Sequence, residues 1–233
     1  EFDDHMFGDV WEWDGAEWSK RCGCIPGPGV RRSHGMAYDS ARGVTVLYGG
    51  VNQNNKAITE TWEWDGEEWT ERLVDGPGAH PIANMAYDSA RGVCVLIGAG
   101  KTWEWDGQEW TVDDAGGPDN RPYTALVFDD ALGRCILFGG IRGIDIMNDT
   151  WAWDGQTWTE FPFAPEDRPW QRRKHAMAYD SLRGRTVLFG GTPMFAQDGA
   201  SFGGTWEWDG AAWTFVTSEG PTPRDHIFMT FDP

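Results

Sequence analysis

Arginine returns at one place in this chain. Arg31, Arg121 and Arg172 each stand three residues ahead of a His or Thr that opens an apolar phrase ending in Asp. Arg224 stands ahead of the last such phrase, Pro81 holds the place three residues before Asn84 in the second, and Arg32 and Arg173 double two of the arginines. A guanidinium is a planar fork suited to bidentate contact with a carboxylate, so several brought to one rim make an anion site. The competing reading is that each is engaged by a carboxylate or carbonyl of its neighbour, with 37 acidic residues at hand.

His34 and His175 open two of those phrases where the others have Asn84 and Thr124. Two imidazoles from separate repeats are no metal motif by spacing, and the role expected of them is a hydrogen-bonded polar group on a wall. His5, His80 and His226 follow no period. Cys22 and Cys24, in "RCGCIPG", could chelate a metal, close a strained local disulfide or do neither, and without a second ligand pair they carry no metal assignment. Cys94 and Cys135 take the place of Thr45 and Thr186 in apolar runs and read as core thiols. No metal and no cofactor is expected.

The net charge of -18 repels a phosphate backbone and an anionic membrane surface, which argues against nucleic acid as a partner. No apolar run is long enough to span a bilayer and no basic-then-apolar leader opens the sequence, so membrane insertion is not expected. With 31 glycines and 13 prolines, the composition suits short strands and tight turns rather than helices.

What must position these residues is a repeat. "WEWDGAEW" from Trp11, "WEWDGEEW" from Trp62, "WEWDGQEW" from Trp103, "WAWDGQTW" from Trp151 and "WEWDGAAW" from Trp206 hold fifteen of the 16 tryptophans, at spacings of 51, 41, 48 and 55 residues. That is the period of propeller blades. A second phrase keeps the beat: "HGMAYDSARGVTVLYGG" from His34, "NMAYDSARGVCVLIGAG" from Asn84, "TALVFDDALGRCILFGG" from Thr124, "HAMAYDSLRGRTVLFGG" from His175 and a truncated "FMTFDP" at the C-terminus. Each unit reads as four strands, "GMAYD", "GVTVLYGG", "TWEWDG" and "EWTERL", joined within each pair by Asp- and Gly-bearing hairpin turns. Side chains alternate along a strand, so Trp62 and Trp64 share a face, Glu63 takes the other, and Trp69 lies across the hairpin. A four-stranded sheet apolar on both faces needs neighbours, and these rings are expected to fill the wedge between units.

The diglycine after an apolar strand (Gly49-Gly50, Gly139-Gly140, Gly190-Gly191), followed by an aromatic-rich strand and a tryptophan in the next, resembles the kelch repeat family over essentially the whole chain; the second copy departs with "GAG". The resemblance implies an all-β fold, a β-propeller of four-stranded antiparallel kelch blades in one domain over 1–233, its first strands lining a central channel. Four blades are complete. The fifth is split between the N-terminal "DVWEWDG" and the C-terminal "HIFMTFDP", which together give three of its strands, and either the chain is a segment of a longer protein or residues 1–7 fill the gap irregularly.

The turns "YDSARG" and "WDG" are near-identical in every copy, and Asp39, Asp88, Asp180, Asp65, Asp106, Asp154 and Asp209 are expected to bind their own turn backbones rather than a cation. The opposite links vary in length. Asn52, Gln53, Asn54, Arg142, Asp145, Met194, Phe195 and Phe202 on those links are the peripheral binding candidates, with tolerated insertion as the competing reading. At the channel rim the candidates are Arg31, Arg32, Arg121, Arg172, Arg173, Arg224, His34 and His175; eukaryotic kelch receptors bind acidic motifs through arginines there. Kelch propellers also include copper radical oxidases, which need ligand tyrosines; of the five tyrosines here only Tyr123 is free of the repeat. The expected function is a non-catalytic interaction module for a protein, peptide or glycan, extracellular or on a bacterial surface by analogy. A structural segment joined through open strand edges, or a sugar mutarotase or oxidase, are the alternatives.

Overall fold

Turn chemistry sets the strand pattern. Asp39 Oδ1 accepts from the backbone N–H groups of Ala41 and Arg42, and its carbonyl from Gly43. Asp65 does the same for Glu67 and Glu68, around Gly66 at φ +99°. These Asx bonds recur at Asp88, Asp106, Asp154, Asp180 and Asp209, as the repeat implies.

The computed structural model describes residues 8–21, 27–79, 84–98, 100–114, 116–193 and 201–231. The chain is all-β. A hairpin comes first, β1 (Val10–Trp13) with β2 (Trp18–Arg21). Four antiparallel sheets of four strands follow. Sheet I is β3 (Gly35–Asp39), β4 (Val44–Tyr48), β5 (Thr61–Trp64) and β6 (Trp69–Arg72); sheet II is β7 (Asn84–Asp88), β8 (Val93–Gly98), β9 (Lys101–Trp105) and β10 (Trp110–Asp113). Sheet III is β11 (Ala125–Asp129), β12 (Arg134–Phe138), β15 (Thr150–Trp153) and β16 (Trp158–Phe161), with the short ribbon β13 (Ile141–Arg142) and β14 (Asp145–Ile146) inserted. Sheet IV is β17 (Arg173–Asp180), β18 (Arg185–Thr192), β19 (Thr205–Trp208) and β20 (Trp213–Thr217). The first strands lie side by side in order, β3 against β7, β7 against β11, β11 against β17.

Between consecutive sheets run apolar clusters, Tyr48, Leu96 and Trp105 between I and II, Leu137 and Trp153 between II and III, Phe138, Leu188 and Trp208 between III and IV. Cys94 and Cys135 are fully buried in them, and burial pushes the Cys94 thiol up to about 12. Each seam also carries directional polar bonds. Glu12 accepts from Trp64 Nε1 (3.0 Å), Glu63 from Trp105 Nε1 (2.9 Å) and Glu104 from Trp153 Nε1 (2.8 Å). Thr61, Thr102 and Thr150 accept from Trp110, Trp158 and Trp213. Trp64, Trp105, Trp110, Trp153, Trp158 and Trp213 therefore both fill the space between sheets and bond to the preceding unit.

The III–IV seam departs from this. In sheet I the buried Glu63 carboxylate is bridged by the solvent-reaching Arg42 and Arg72, with N···O distances of 2.6 Å and 2.5 Å. By strand register their counterparts in sheet III are Leu132, Ala152 and Phe161, and Trp208 Nε1 is left without a partner. Phe161 packs edge-on to Trp208 at 4.9 Å instead. The whole cluster has been exchanged for an apolar one, which costs far less than losing a single member would.

Two expectations need correction. The C-terminal phrase forms no strand over residues 224–231, so the fifth unit is a two-stranded hairpin among the described residues rather than three strands. The approach to that strand is nonetheless placed as in its homologues, since Gly191 N–H donates to Arg224 O as Gly140 N–H donates to Arg172 O. With no sheet completed around them, Trp11 and Trp13 are 49% exposed and Trp18 63%, whereas Trp64 is 7% exposed; these three do not fill a wedge.

Candidate functional site

At the approach to the first strands of sheets I, III and IV, and again before residue 227, the backbone turns through the left-handed region. Ser33 (φ 59°), Tyr123 (φ 64°), Lys174 (φ 58°) and His226 (φ 51°) occupy the same register, and none is glycine. Such conformations cost of order 1–3 kcal/mol each and persist where surrounding structure imposes them. Here the imposing contacts are visible: Lys174 N–H donates to Tyr123 O and His226 N–H to Lys174 O, both at 3.0 Å, stitching successive units. The diglycine exists for the same crossing. A Cβ on Gly50 would stand 2.6 Å from Arg32 O, at φ +89°.

These four residues ring the mouth of a cavity of about 470 Å³ whose walls are the first strands of all four sheets and residues 226–229. Arg32 also lines it, and Lys174 Nζ lies 5.3 Å over the Tyr123 ring, whose other neighbour is His226 at 6.4 Å. None of the lining residues is Asp or Glu, in a chain carrying 37 of them; Asp225 stands behind the mouth, 3.9 Å from Lys174 Nζ and 3.3 Å from His226 Nδ1. Deeper in, Thr124 Oγ1 and His34 Nδ1 are buried without a hydrogen-bond partner among the described residues, and His175 is buried beside the Phe138 backbone. Burial, followed by the nearby Arg172, pushes His175 down to about 3, and burial with Arg31 pushes His34 down to about 4, so both are neutral at physiological pH. Register also corrects one alignment, because Met36 and Met85 both pair with the same leucine position, which places Asn84 level with Gly35 rather than with His34.

Of the rim candidates, the structure brings Arg32, His34 and His175 to the cavity wall. Arg31 is buried, donates to Gly49 O and Pro28 O, and pairs with Glu60 at 2.7 Å; Arg121 is buried against Asp149. Both are engaged by a carboxylate, as the competing reading had it, but by one of their own sheet rather than of a neighbour. Arg172 is 2% exposed and meets only carbonyls, Trp170 O and Gly190 O, since the position that supplies Glu60 and Asp149 elsewhere is Gly204 here. Burial pulls its guanidinium down to about 10, and Phe202 caps it at 4.5 Å. Arg224 is exposed and folds back on Thr222, and Arg173 is half-buried with Nε unpartnered.

On the loops, Asn52 closes its own turn by accepting from Asn54 and Lys56, leaving Gln53 and Asn54 exposed at the tip. Arg142 and Asp145 are exposed on the β13–β14 ribbon. Met194, Phe195, Pro81, Cys22, Cys24, His5 and His80 lie outside the described residues. Among the described residues no three His, Cys, Asp or Glu side chains stand together to hold a metal. The sequence reading missed Tyr123 and Lys174 as mouth residues and Trp170 altogether; the signal for the last was that it is the sole tryptophan outside the repeated phrases. Compared with known families and curated proteins, the chain matches no family model and no curated relative.

Proposed function

We propose that this chain forms a kelch-type β-propeller and acts as a non-catalytic interaction module, taking a protein, peptide or glycan at the mouth formed by its first strands. The observation that carries the reading is the cavity mouth itself: Arg32 on the lining and Lys174 over Tyr123, with no carboxylate on the lining of a strongly acidic protein. Cations on an otherwise negative surface attract and orient an anionic group, and the strained left-handed residues fix the mouth's shape before anything binds. The neutral His34 and His175, with Thr124, offer hydrogen bonds below. Titration of the chain against panels of acidic peptides and glycans tests this. At least one should bind, and Arg32→Ala with Lys174→Ala should weaken it by tenfold or more; binding indifferent to that pair would remove the mouth from the account.

A second reading, assembly through an open edge, is favoured by the hairpin β1–β2, whose β1 has a partner on one side only among the described residues and whose tryptophans are half exposed. Size-exclusion chromatography with light scattering across a concentration series tests it, a constant monomer mass being the contrary result.

A further inference from the structure

The one tryptophan that the repeat does not use lies in the most basic stretch of the chain. Residues 168–174 read "RPWQRRK", four of the 19 Lys and Arg within seven residues, with no acid among them. Trp170 is 70% exposed. Its backbone is held, because Trp170 O accepts from Arg172 Nε at 3.0 Å and the neighbouring Pro169 O from Asn148 Nδ2 at 3.4 Å. Its ring meets the edge of Phe202 at 6.2 Å, and Phe202 in turn covers the Arg172 guanidinium.

The arginines around it are short of counter-charge among the described residues. Among the described residues, Arg168, Arg172 and Arg173 have no carboxylate within ion-pair distance, and Arg168 Nε and Arg173 Nε are buried without any partner. Elsewhere the chain pairs its arginines closely, as Arg42, Arg91 and Arg183 each do with two carboxylates. From Trp170 the chain reaches Lys174 at the cavity mouth in four residues, at most ~14 Å of extended backbone.

We propose that the Trp170 segment is a platform for an acidic saccharide, a pyranose stacking on the Trp170 indole while uronic carboxylates of that sugar or the next meet the half-buried Arg168 and Arg173 and Lys174. This rests on the mouth reading above and names its ligand class. Size decides against a protein surface: one exposed indole and a phenyl edge offer at most about 250 Å² of aromatic area, against the roughly 800 Å² per partner that a stable protein interface buries. The flat indole suits the C–H face of one sugar ring, and the planar guanidinium forks of Arg168 and Arg173, free of any carboxylate among the described residues, suit planar carboxylates.

The test is calorimetric titration of the full chain with oligogalacturonate, its methyl ester and a poly-glutamate peptide of similar charge. Oligogalacturonate should bind, weaken as salt rises, and bind at least tenfold better than the ester or the peptide. Trp170→Ala should lose tenfold or more, while Trp170→Phe should stay within a few-fold, which separates stacking from misfolding. Equal binding of the ester, preference for the peptide, or an unaffected Trp170→Ala would each overturn the proposal. Binding of oligogalacturonate lost in Arg32→Ala but kept in Trp170→Ala would leave the mouth standing and remove the platform; the reverse would keep the platform and remove the mouth.

Discussion

Glu63 gives the sharpest energetic test of how these sheets are joined. Its carboxylate is 2% exposed and accepts from Arg42 (2.6 Å), Arg72 (2.8 Å from Nε) and Trp105 Nε1 (2.9 Å). Burial alone would raise its pKa, but the bonds from Trp105, Arg42 and Arg72 outweigh burial and hold the carboxyl below the ordinary range. Glu63→Ala leaves an orphaned indole N–H, worth about 1–3 kcal/mol, and two guanidiniums without their shared partner. Those guanidiniums reach solvent, so the loss falls toward the lower end of the 3–5 kcal/mol seen when a buried pair is broken, about 3 kcal/mol in all. The triple variant Arg42→Leu, Glu63→Ala, Arg72→Phe installs the set that sheet III carries as Leu132, Ala152 and Phe161. It keeps the orphaned indole and leaves the buried Asp39 without its guanidinium, but it removes the two stranded cations and adds an aromatic contact worth about 0.5–1.5 kcal/mol, so it should be more stable than Glu63→Ala. Urea unfolding with unchanged slope reads both values. A triple variant no more stable than Glu63→Ala would refute the idea that the III–IV seam is a coordinated exchange.

Other outcomes follow from single contacts. Gly66 and Gly107 have matching φ near +99° and +96°, but only at Gly107 would a Cβ meet Arg42, at 2.8 Å; Gly107→Ala should therefore cost more than Gly66→Ala in thermal melts, the difference vanishing in an Arg42→Ala background. His175, held down to about 3 by burial, stays neutral in the fold while the unfolded chain takes up a proton below about 6.5, so stability present at pH 7 is lost as pH falls. Between pH 6.5 and 4 this amounts to about 3 kcal/mol, and His175→Thr, the residue type of Thr124 in sheet III, should flatten that part of the pH–stability curve. Cys94 and Cys135 should resist thiol reagents in the native protein and react on unfolding, as measured by chromogenic disulfide exchange.

The sheets were legible because period and turn chemistry agree in every copy: alternation gives the faces, Asp–Gly the hairpins, and all four strands of each complete unit fall where the phrases place them. The seams were partly legible. Glu63 was assigned to the face opposite Trp62 and Trp64, yet its bond to Trp105 depends on a neighbour's rotamer that no local pattern encodes. The mouth was hardest. Arginine spacing pointed to the right stretch of backbone, but Gly49 O, Glu60 and Asp149 draw the side chains of Arg31 and Arg121 inward, and it is the left-handed residue two places on that faces the cavity. Left-handed Tyr and Lys are imposed by crossing strands, so their identity gives no warning. Trp170 was hidden by abundance, one tryptophan beside fifteen that have another use.

The bonds from Glu12 to Trp64, Glu63 to Trp105 and Glu104 to Trp153 all run forward, from one unit to the next in sequence. A chain of near-identical modules faces a combinatorial hazard while folding, because any module can dock on any other and bury nearly the same surface. Forward bonds give each docking a polarity but not an address, since every ordinary copy offers the same carboxylate and the same indole. The apolar seam between sheets III and IV supplies the address. Ala152 offers no acceptor to an indole, and Leu132 and Phe161 bring no charge, so sheet III discriminates among successors differently from sheets I and II. One irregular joint in a periodic series is enough to fix the count from which all the others follow.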